Sequence, residues 1–323
     1  MSTNSRRFAA ACAVMLAFGG AAFAQPYPNR PVRIVDGFPP GGGTDLLSRT
    51  LGQKMSEAWG QPVIVDNRPG AASNLGAQIA AKAASDGYTY FMGLVSVLAP
   101  SMTLYPKLQY NLLTDLAPVS KVASGIYVLV ATPSLPVKSV QELIALAKKK
   151  EGALTYSSSG VATPAHLAGE LFNLRGGVKI LHVPYKGGAP AAAAIATGEA
   201  QLSWLSVPAA MPLLSGGKAK ALAVTPKRTR AFPDVPTVAE SGLPGFEVTI
   251  AYGVFAPAGT PAPAIAKVNA EIARVLKMPD VVERLSGSGL EADASTPEQF
   301  GRLVNEEVKL WAKVIKDAKI TID

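Results

Sequence analysis

The chain has 323 residues, 48% hydrophobic and 17% charged, with a formal net charge of +8. That length supports one large or two medium globular domains, each with its own core. Its lone cysteine, Cys12, lies in an N-terminal apolar run, so the rest of the chain has no disulfide framework, thiol nucleophile or Cys-ligated metal.

The first 24 residues read as a secretory signal. Arg6 and Arg7 form a positive start, Phe8 to Ala22 is apolar and rich in small residues, and Ala22-Phe23-Ala24 resembles a cleavage site. The run is too short to span a bilayer with ease. Arg6-Arg7 also hints at twin-arginine export, although Phe8-Ala9-Ala10 continues that pattern weakly. Removing both arginines leaves a mature chain from Gln25 with a net charge two lower than the formal +8. An exported, soluble, periplasmic protein is expected. Lys148-Lys149-Lys150 is the only lysine run and reads as a solvated helix end. A nucleic-acid surface would interleave basic residues with exposed aromatics.

Strands and helices then alternate. Val32 to Val35 is a predicted strand, Asp45 to Trp59 a helix, and Pro62 to Val65 a strand. Leu75 to Ala84 is a helix and Tyr88 to Val95 a strand. This order predicts a mostly parallel sheet covered on both faces. A second set opens with a strand at Ile126 to Ala131. The helix from Ser139 to Lys150 carries a capping box, Ser139 with Glu142. Leu154 to Ser157 is a strand, followed by a loop to His166 and a helix ending near Gly176 or Gly177. Lys179 to Pro184, Gln201 to Val207 and Lys220 to Thr225 are strands, with an alanine-rich helix before Gly198. The tail has a strand at Val248 to Phe255 and a helix at Pro263 to Leu276. A long last helix is capped by Thr296 and Gln299, with Pro297 in its first turn.

The expected organisation is two α/β lobes joined by a hinge. Residues 25–124 start the first lobe, 125–249 form the second, and 250–323 return to the first. The crossings are expected near Ala123-Ser124 and near Thr249 to Ala251.

Three loops combine small residues with a following helix: FPPGGGTD (Phe38 to Asp45), RPGAASN (Arg68 to Asn74) and YKGGAPA (Tyr185 to Ala191). Small residues let a ligand approach the backbone, and the free N–H groups at a helix start favour negative charge. The first loop lacks the lysine of a phosphate-binding P-loop and the GxGxxG spacing of a dinucleotide site. A carboxylate fits better, with Thr44 as a hydroxyl donor and Asp45 capping its helix or holding a water. A plain glycine turn with Thr44 or Asp45 as N-cap explains that loop equally well when it is taken alone.

Catalysis finds little support. The mature chain has two histidines: His182, in a predicted strand, and His166, at a helix start after Ser157-Ser158-Ser159. No G-x-S-x-G elbow and no zinc-spaced histidines occur. A triad assembled across the fold stays open as an alternative, with His166 and Ser159 as its candidates. No catalytic residue, metal or cofactor is assigned.

The segments YPNRPVRIVDGFPPGGGTDLLSR, GQPVIVDNRPGAASNLGAQIAAKAASDGYT, HLAGELF, HVPYKGGAPA and FPDVPTVAESGLPGFEV together resemble one family. It is the periplasmic solute receptor of tripartite tricarboxylate transporters, the Bug receptors. The resemblance runs from Tyr27 to the last helix. It implies a type II periplasmic binding-protein fold, α/β, with the ligand cleft between two lobes. It also implies a monomer that delivers a small carboxylate to a membrane permease with a large and a small subunit, and no nucleic-acid partner. A sensor or scavenger uncoupled from transport is the alternative within binding proteins, and a periplasmic hydrolase the alternative outside them. Carried over residue by residue, Phe38, Gly42, Thr44 and Asp45 match the first ligand loop. Ala72, Ser73 and Asn74 match the second. Ser159, Thr163 and His166 match the loop before HLAGE, and Gly187, Gly188, Ala189 and Pro190 match the YKG loop.

One stretch departs. Where the family usually reads QLMFDNLPSA, this chain reads QLSWLSVPAA, Gln201 to Ala210. Leu205 replaces the acidic position, Ser206 stands where Asn is common, and Trp204 takes an aromatic position. Losing a cleft carboxylate disfavours amino acids and favours dicarboxylates or aromatic acids, extending to terephthalate-like ligands if Trp204 lines the cleft. Trp204 alternatively packs in the strand core.

Overall fold

The computed structural model describes residues 27–185, 188–229 and 231–321. The signal segment lies outside the described residues, as do Gly187 and the last two positions.

The first strands form because short β-branched runs end in turn residues. β1 (Val32–Asp36), β2 (Val63–Asn67) and β3 (Thr89–Leu94) lie parallel in the order β3-β1-β2. α1 (Gly43–Trp59) and α2 (Asn74–Ala81) make the crossovers. α1 buries Leu47, Leu51 and Met55, three residues at helical spacing, and ends on Gly60 in the left-handed conformation. α3 (Val95–Leu104) then leads to β4 (Leu116–Gly125).

β4 continues almost without a break into β5 (Tyr127–Ala131), with only Ile126 between them, yet the two belong to different sheets. The second sheet is completed by β6 (Thr155–Ser158), β7 (Leu181–Pro184), β8 (Leu202–Ser206) and β9 (Lys220–Thr225), in the order β7-β6-β8-β5-β9. Its helices are α4 (Val140–Lys149), α5 (Pro164–Gly176), α6 (Gly188–Thr197) and α7 (Val207–Ser215). The chain returns through β10 (Ile250–Pro257), α8 (Ala262–Val275), α9 (Pro279–Gly287), β11 (Leu290–Ala292) and α10 (Pro297–Asp317). The first sheet therefore reads β11-β4-β10-β3-β1-β2.

Each sheet holds one strand that enters from the other lobe, and that strand is antiparallel to both neighbours. β5 runs against β8 and β9, and β10 runs against β3 and β4. This corrects the expectation of mostly parallel sheets: a crossing strand enters at the hinge end, where the local strands finish, and so runs opposite to them.

Of the two capping boxes read from sequence, the one at the last helix forms in full. Thr296 accepts from the Gln299 amide at 3.2 Å, while the Gln299 side chain accepts from the Thr296 amide at 2.9 Å. At α4 the Ser139 half of the box forms, but the Glu142 carboxylate takes the amide of Lys138 instead. α3, β4, α7, α9 and β11 were not expected. α3 is apolar nearly all round with Pro100 inside it, so neither helical period nor breaker pattern marks it.

Candidate functional site

A cavity of about 730 Å³ opens between the lobes. One wall is the start of α1, Gly41 to Asp45. The floor is the crossing, Gly125 and Ile126, with Tyr252 of β10. The far wall is Ser206 and Pro208, where α7 begins, and the turn Gly287 to Leu290 closes one edge. Two helix N-termini from different lobes thus line one space. The unpaired amides of the α1 first turn suit an anion, whereas at α7 Pro208 has no N–H, so that helix start offers its dipole and the Ser206 hydroxyl. Ser206 is the N-cap of α7, yet its hydroxyl makes no capping bond and so is free to meet a ligand.

The first loop is shaped by two carboxylates. Asp36, fully buried at the end of β1, accepts from the Phe38 amide at 3.0 Å and from the Ser48 hydroxyl at 2.8 Å. Burial pushes its pKa up, and these bonds together with the nearby Thr44 hydroxyl pull against that rise. Asp45 reaches back from the third position of α1 to the Gly41 amide at 3.0 Å, and its other oxygen accepts from Asn67 at 3.0 Å. Burial would raise its pKa, but bonds from Arg49, Gly41 and Asn67 outweigh it and hold the carboxyl below its ordinary value. Arg49 balances its charge at 3.0 Å. Gly43 is required for close approach: a Cβ there would lie 2.6 Å from the Tyr252 hydroxyl. Burial raises the Tyr252 pKa to about 12, so the phenol stays protonated and able to donate.

Of the residues expected at the site, Gly42, Asp45 and Ser206 line the large cavity. Phe38, Gly42 and Thr44 line a smaller neighbouring one of about 310 Å³, which shares Tyr252 with it. Thr44 is buried, and its side chain is among the groups that pull the Asp36 pKa down against burial.

The second loop is strained. Ala71, Ala72 and Ser73 all have left-handed backbone, with φ of 46°, 52° and 73°. Asn74 holds this turn: its amide group donates to the Ala71 carbonyl at 2.7 Å and to Ser101 at 3.1 Å, and its oxygen accepts from Tyr110 at 2.8 Å. The Asn74 side chain is therefore committed within the first lobe. Ser73 is buried against Gly37, and its hydroxyl has no partner among the described residues.

In the second lobe, Ser159 is half-buried at the end of β6. Thr163 donates to the Gly160 carbonyl at 2.7 Å, and Gly188, Ala189 and Pro190 form the exposed start of α6. Gly187 lies outside the described residues. None of these lines the large cavity.

His166 is buried. Its Nδ1 accepts the Ala162 amide at 3.0 Å, and its ring stacks on His182 at 3.9 Å between centroids. His182 in turn stacks on Tyr156 and bonds Ser158 at 2.6 Å. Burial lowers both pKa values, to about 3 for His166, with further repulsion from His182, and to about 4 for His182. Both rings are neutral pillars of the loop. The triad alternative needed His166 as a base for Ser159, and this geometry spends the ring elsewhere.

Trp204 requires a correction. It is 3% exposed, stacks on Phe246 at 5.4 Å and meets Phe172 edge-on at 6.0 Å. Successive strand residues face opposite sides of a sheet. Trp204 therefore enters one core and Leu205 the other, and only Ser206, at the strand end, emerges into the cavity. The stacking argument for aromatic acids loses its residue.

Sequence reasoning missed Arg49, Tyr252, Arg284 and the turn Gly287 to Leu290. Arg49 carried a legible signal, lying four residues after Asp45 on one helix. The others come from the returning tail, whose position beside the first loop no local pattern records.

The family profile described as tripartite tricarboxylate transporter family receptor matches residues 47–320. The protein BugT of Bordetella pertussis is 36% identical over 97% of this chain and 98% of its own length. Among solved structures, an R. palustris protein with adipate superposes with a TM-score of 0.79 at 37% identity, covering 91% of this chain and 99% of that one. MatC from Rhodopseudomonas palustris with bound malate gives 0.74 at 34% identity, covering 90% and 100%. With two α/β lobes and a cleft between them, the chain has the type II periplasmic binding-protein fold and belongs to the tripartite tricarboxylate transporter receptor family, whose members are periplasmic solute-binding receptors.

Proposed function

We propose that this receptor captures a small dicarboxylate in the interlobe cavity and delivers it to a tripartite membrane transporter with a large and a small permease subunit. The observation that carries the reading is the pair of helix N-termini, from α1 and α7, facing one cavity from opposite lobes. One carboxylate is received by the amides of Gly42 to Asp45, with Ser206 and Tyr252 as hydroxyl donors. Closure pivots on Gly125-Ile126 and on residues 226–249, and brings Ser159, Thr163 and the start of α6 over the ligand. Lobe boundaries near 124 and 249 follow from those crossings, and residues 1–24 act as the export signal. Similarity to adipate- and malate-bound relatives supports the ligand class. Among the described residues the cavity's one carboxylate, Asp45, is already paired, so a ligand ammonium finds no free carboxylate among them.

A thermal-shift screen of the purified protein against mono-, di- and tricarboxylates, aromatic acids and amino acids tests this. A ligand at a hundredfold excess over its Kd stabilises the native state by about 2.7 kcal/mol. A shift confined to dicarboxylates supports the proposal. A larger shift with amino acids, or turnover of a bound ester, contradicts it.

A further inference from the structure

We propose that Arg284 selects ligands carrying a second carboxylate. This rests on the receptor reading and names the ligand class at the same cleft. Among the described residues, two cationic side chains line the cavity, Arg49 and Arg284. Arg49 is engaged: it pairs with Asp45 at 3.0 Å, donating from Nε to Oδ2, and reaches Asn67 at 3.1 Å. The Arg284 guanidinium makes no ion pair or hydrogen bond among the described residues; only its backbone carbonyl is engaged, by the Ser288 hydroxyl at 3.0 Å. With Asp45 balanced by Arg49, the cavity lining keeps one uncompensated positive charge among the described residues, and it sits on Arg284.

Its position follows from the fold. Arg284 occupies the last turn of α9, and the turn after it leans on the opposite lobe. Gly289 adopts a left-handed φ of 69°, and a Cβ there would lie 2.8 Å from the Pro208 ring at the start of α7. The end of α9 is thus set at the seam between lobes, facing the same space as the α1 amides. A ligand carboxylate held by those amides satisfies the helix start and leaves Arg284 unmatched. A second carboxylate on the same ligand supplies the charge-assisted, planar partner that a guanidinium favours. A cation in a last helical turn also suits the helix dipole without any ligand, and the test separates the two roles.

Calorimetry would compare straight-chain α,ω-dicarboxylates of four to eight carbons with their monomethyl esters, on the unmodified protein, Arg284→Gln and Arg284→Lys. The unmodified protein should prefer a diacid over its ester by at least roughly tenfold, as for loss of a bond between charged groups. Arg284→Gln should weaken the diacid about tenfold and leave the ester within about twofold, and Arg284→Lys should fall between. The diacid preference should shrink as salt is raised, because Arg284 is exposed. Equal loss for diacid and ester, no loss for either, or preference for the ester overturns the proposal. Binding only of monoacids or aromatic acids overturns it and leaves the receptor reading standing. Binding of no carboxylate removes both.

Discussion

The two lobes hold their helix-start loops by different electrostatics. In the first lobe, loop 37–45 hangs on two carboxylates: Asp36 holds Phe38 and Ser48, while Asp45 clasps Gly41 and is balanced by Arg49. In the second lobe, loop 158–166 hangs on neutral groups: Ser158, the stacked His166 and His182, and Thr163. Both solutions leave helix-start amides facing outward. The difference is in what else they bring to an anion. The first lobe must neutralise its own negative charge with Arg49, whereas the second adds no charge while its histidines stay neutral.

That comparison can be broken most strongly with acid. Both histidines are neutral, in the folded and unfolded chain alike, above an unfolded pKa of about 6.5. As pH falls below that, the unfolded chain takes up protons that the folded loop refuses until about pH 4 for His182 and about 3 for His166. Stability present at neutral pH is therefore lost as pH drops. The loss from this pair is about 2–4 kcal/mol between pH 7.5 and 5, the lower end allowing for solvent around the half-buried His182. Urea titrations across that range check it, and a His166→Gln variant should show a flatter profile.

Asp36→Ala attacks the charged design. It leaves the buried Ser48 hydroxyl and the Phe38 amide without their acceptor, a loss of about 3 kcal/mol at about 1–3 per group. Chemical denaturation should show that loss. A stability change under 1 kcal/mol would mean that the loop does not depend on its carboxylate.

Gly289→Ala tests the seam where the two designs meet. A left-handed alanine and a contact at 2.8 Å with Pro208 should together cost about 2 kcal/mol, and they push the lobes apart. Weaker ligand binding than in the parent, with small-angle scattering showing a more open shape, is the expected result.

Thr44→Val gives the smallest effect and sharpens the picture of the first loop. Because Thr44 is buried and its hydroxyl helps hold down the Asp36 pKa, its removal should lower stability by about 1 kcal/mol and leave carboxylate affinity nearly unchanged. An affinity loss larger than the stability loss, measured by calorimetry, would show that the hydroxyl serves the ligand.

Much of this was legible in the chain itself. Strand–loop–helix alternation, the Thr296–Gln299 box and the small-residue loops follow from local rules, and the structure places them within a few residues of expectation. Trp204 was not decidable, since an aromatic in a strand leading to a cleft can face the cleft or a core until its neighbours are known. Phe246 and Phe172, 42 and 32 residues away in the chain, decide it. The antiparallel crossings of β5 and β10 were equally hidden, because strand direction depends on where the chain enters a sheet.

The sequence by itself determined the α/β class and the helix starts suited to an anion, because these rest on residue types at short spacing, and it determined the family through the resemblance of segments spread along the chain. Only the tertiary structure decided that Tyr252, Ser206 and Arg284 share one cavity with Gly42 and Asp45. They are separated from the first loop by more than 150 residues: the returning tail brings Tyr252 and Arg284 back, while β8 of the second lobe presents Ser206 from the opposite wall. The sum of cavity charges, and so the kind of ligand the cleft balances, exists only after that return.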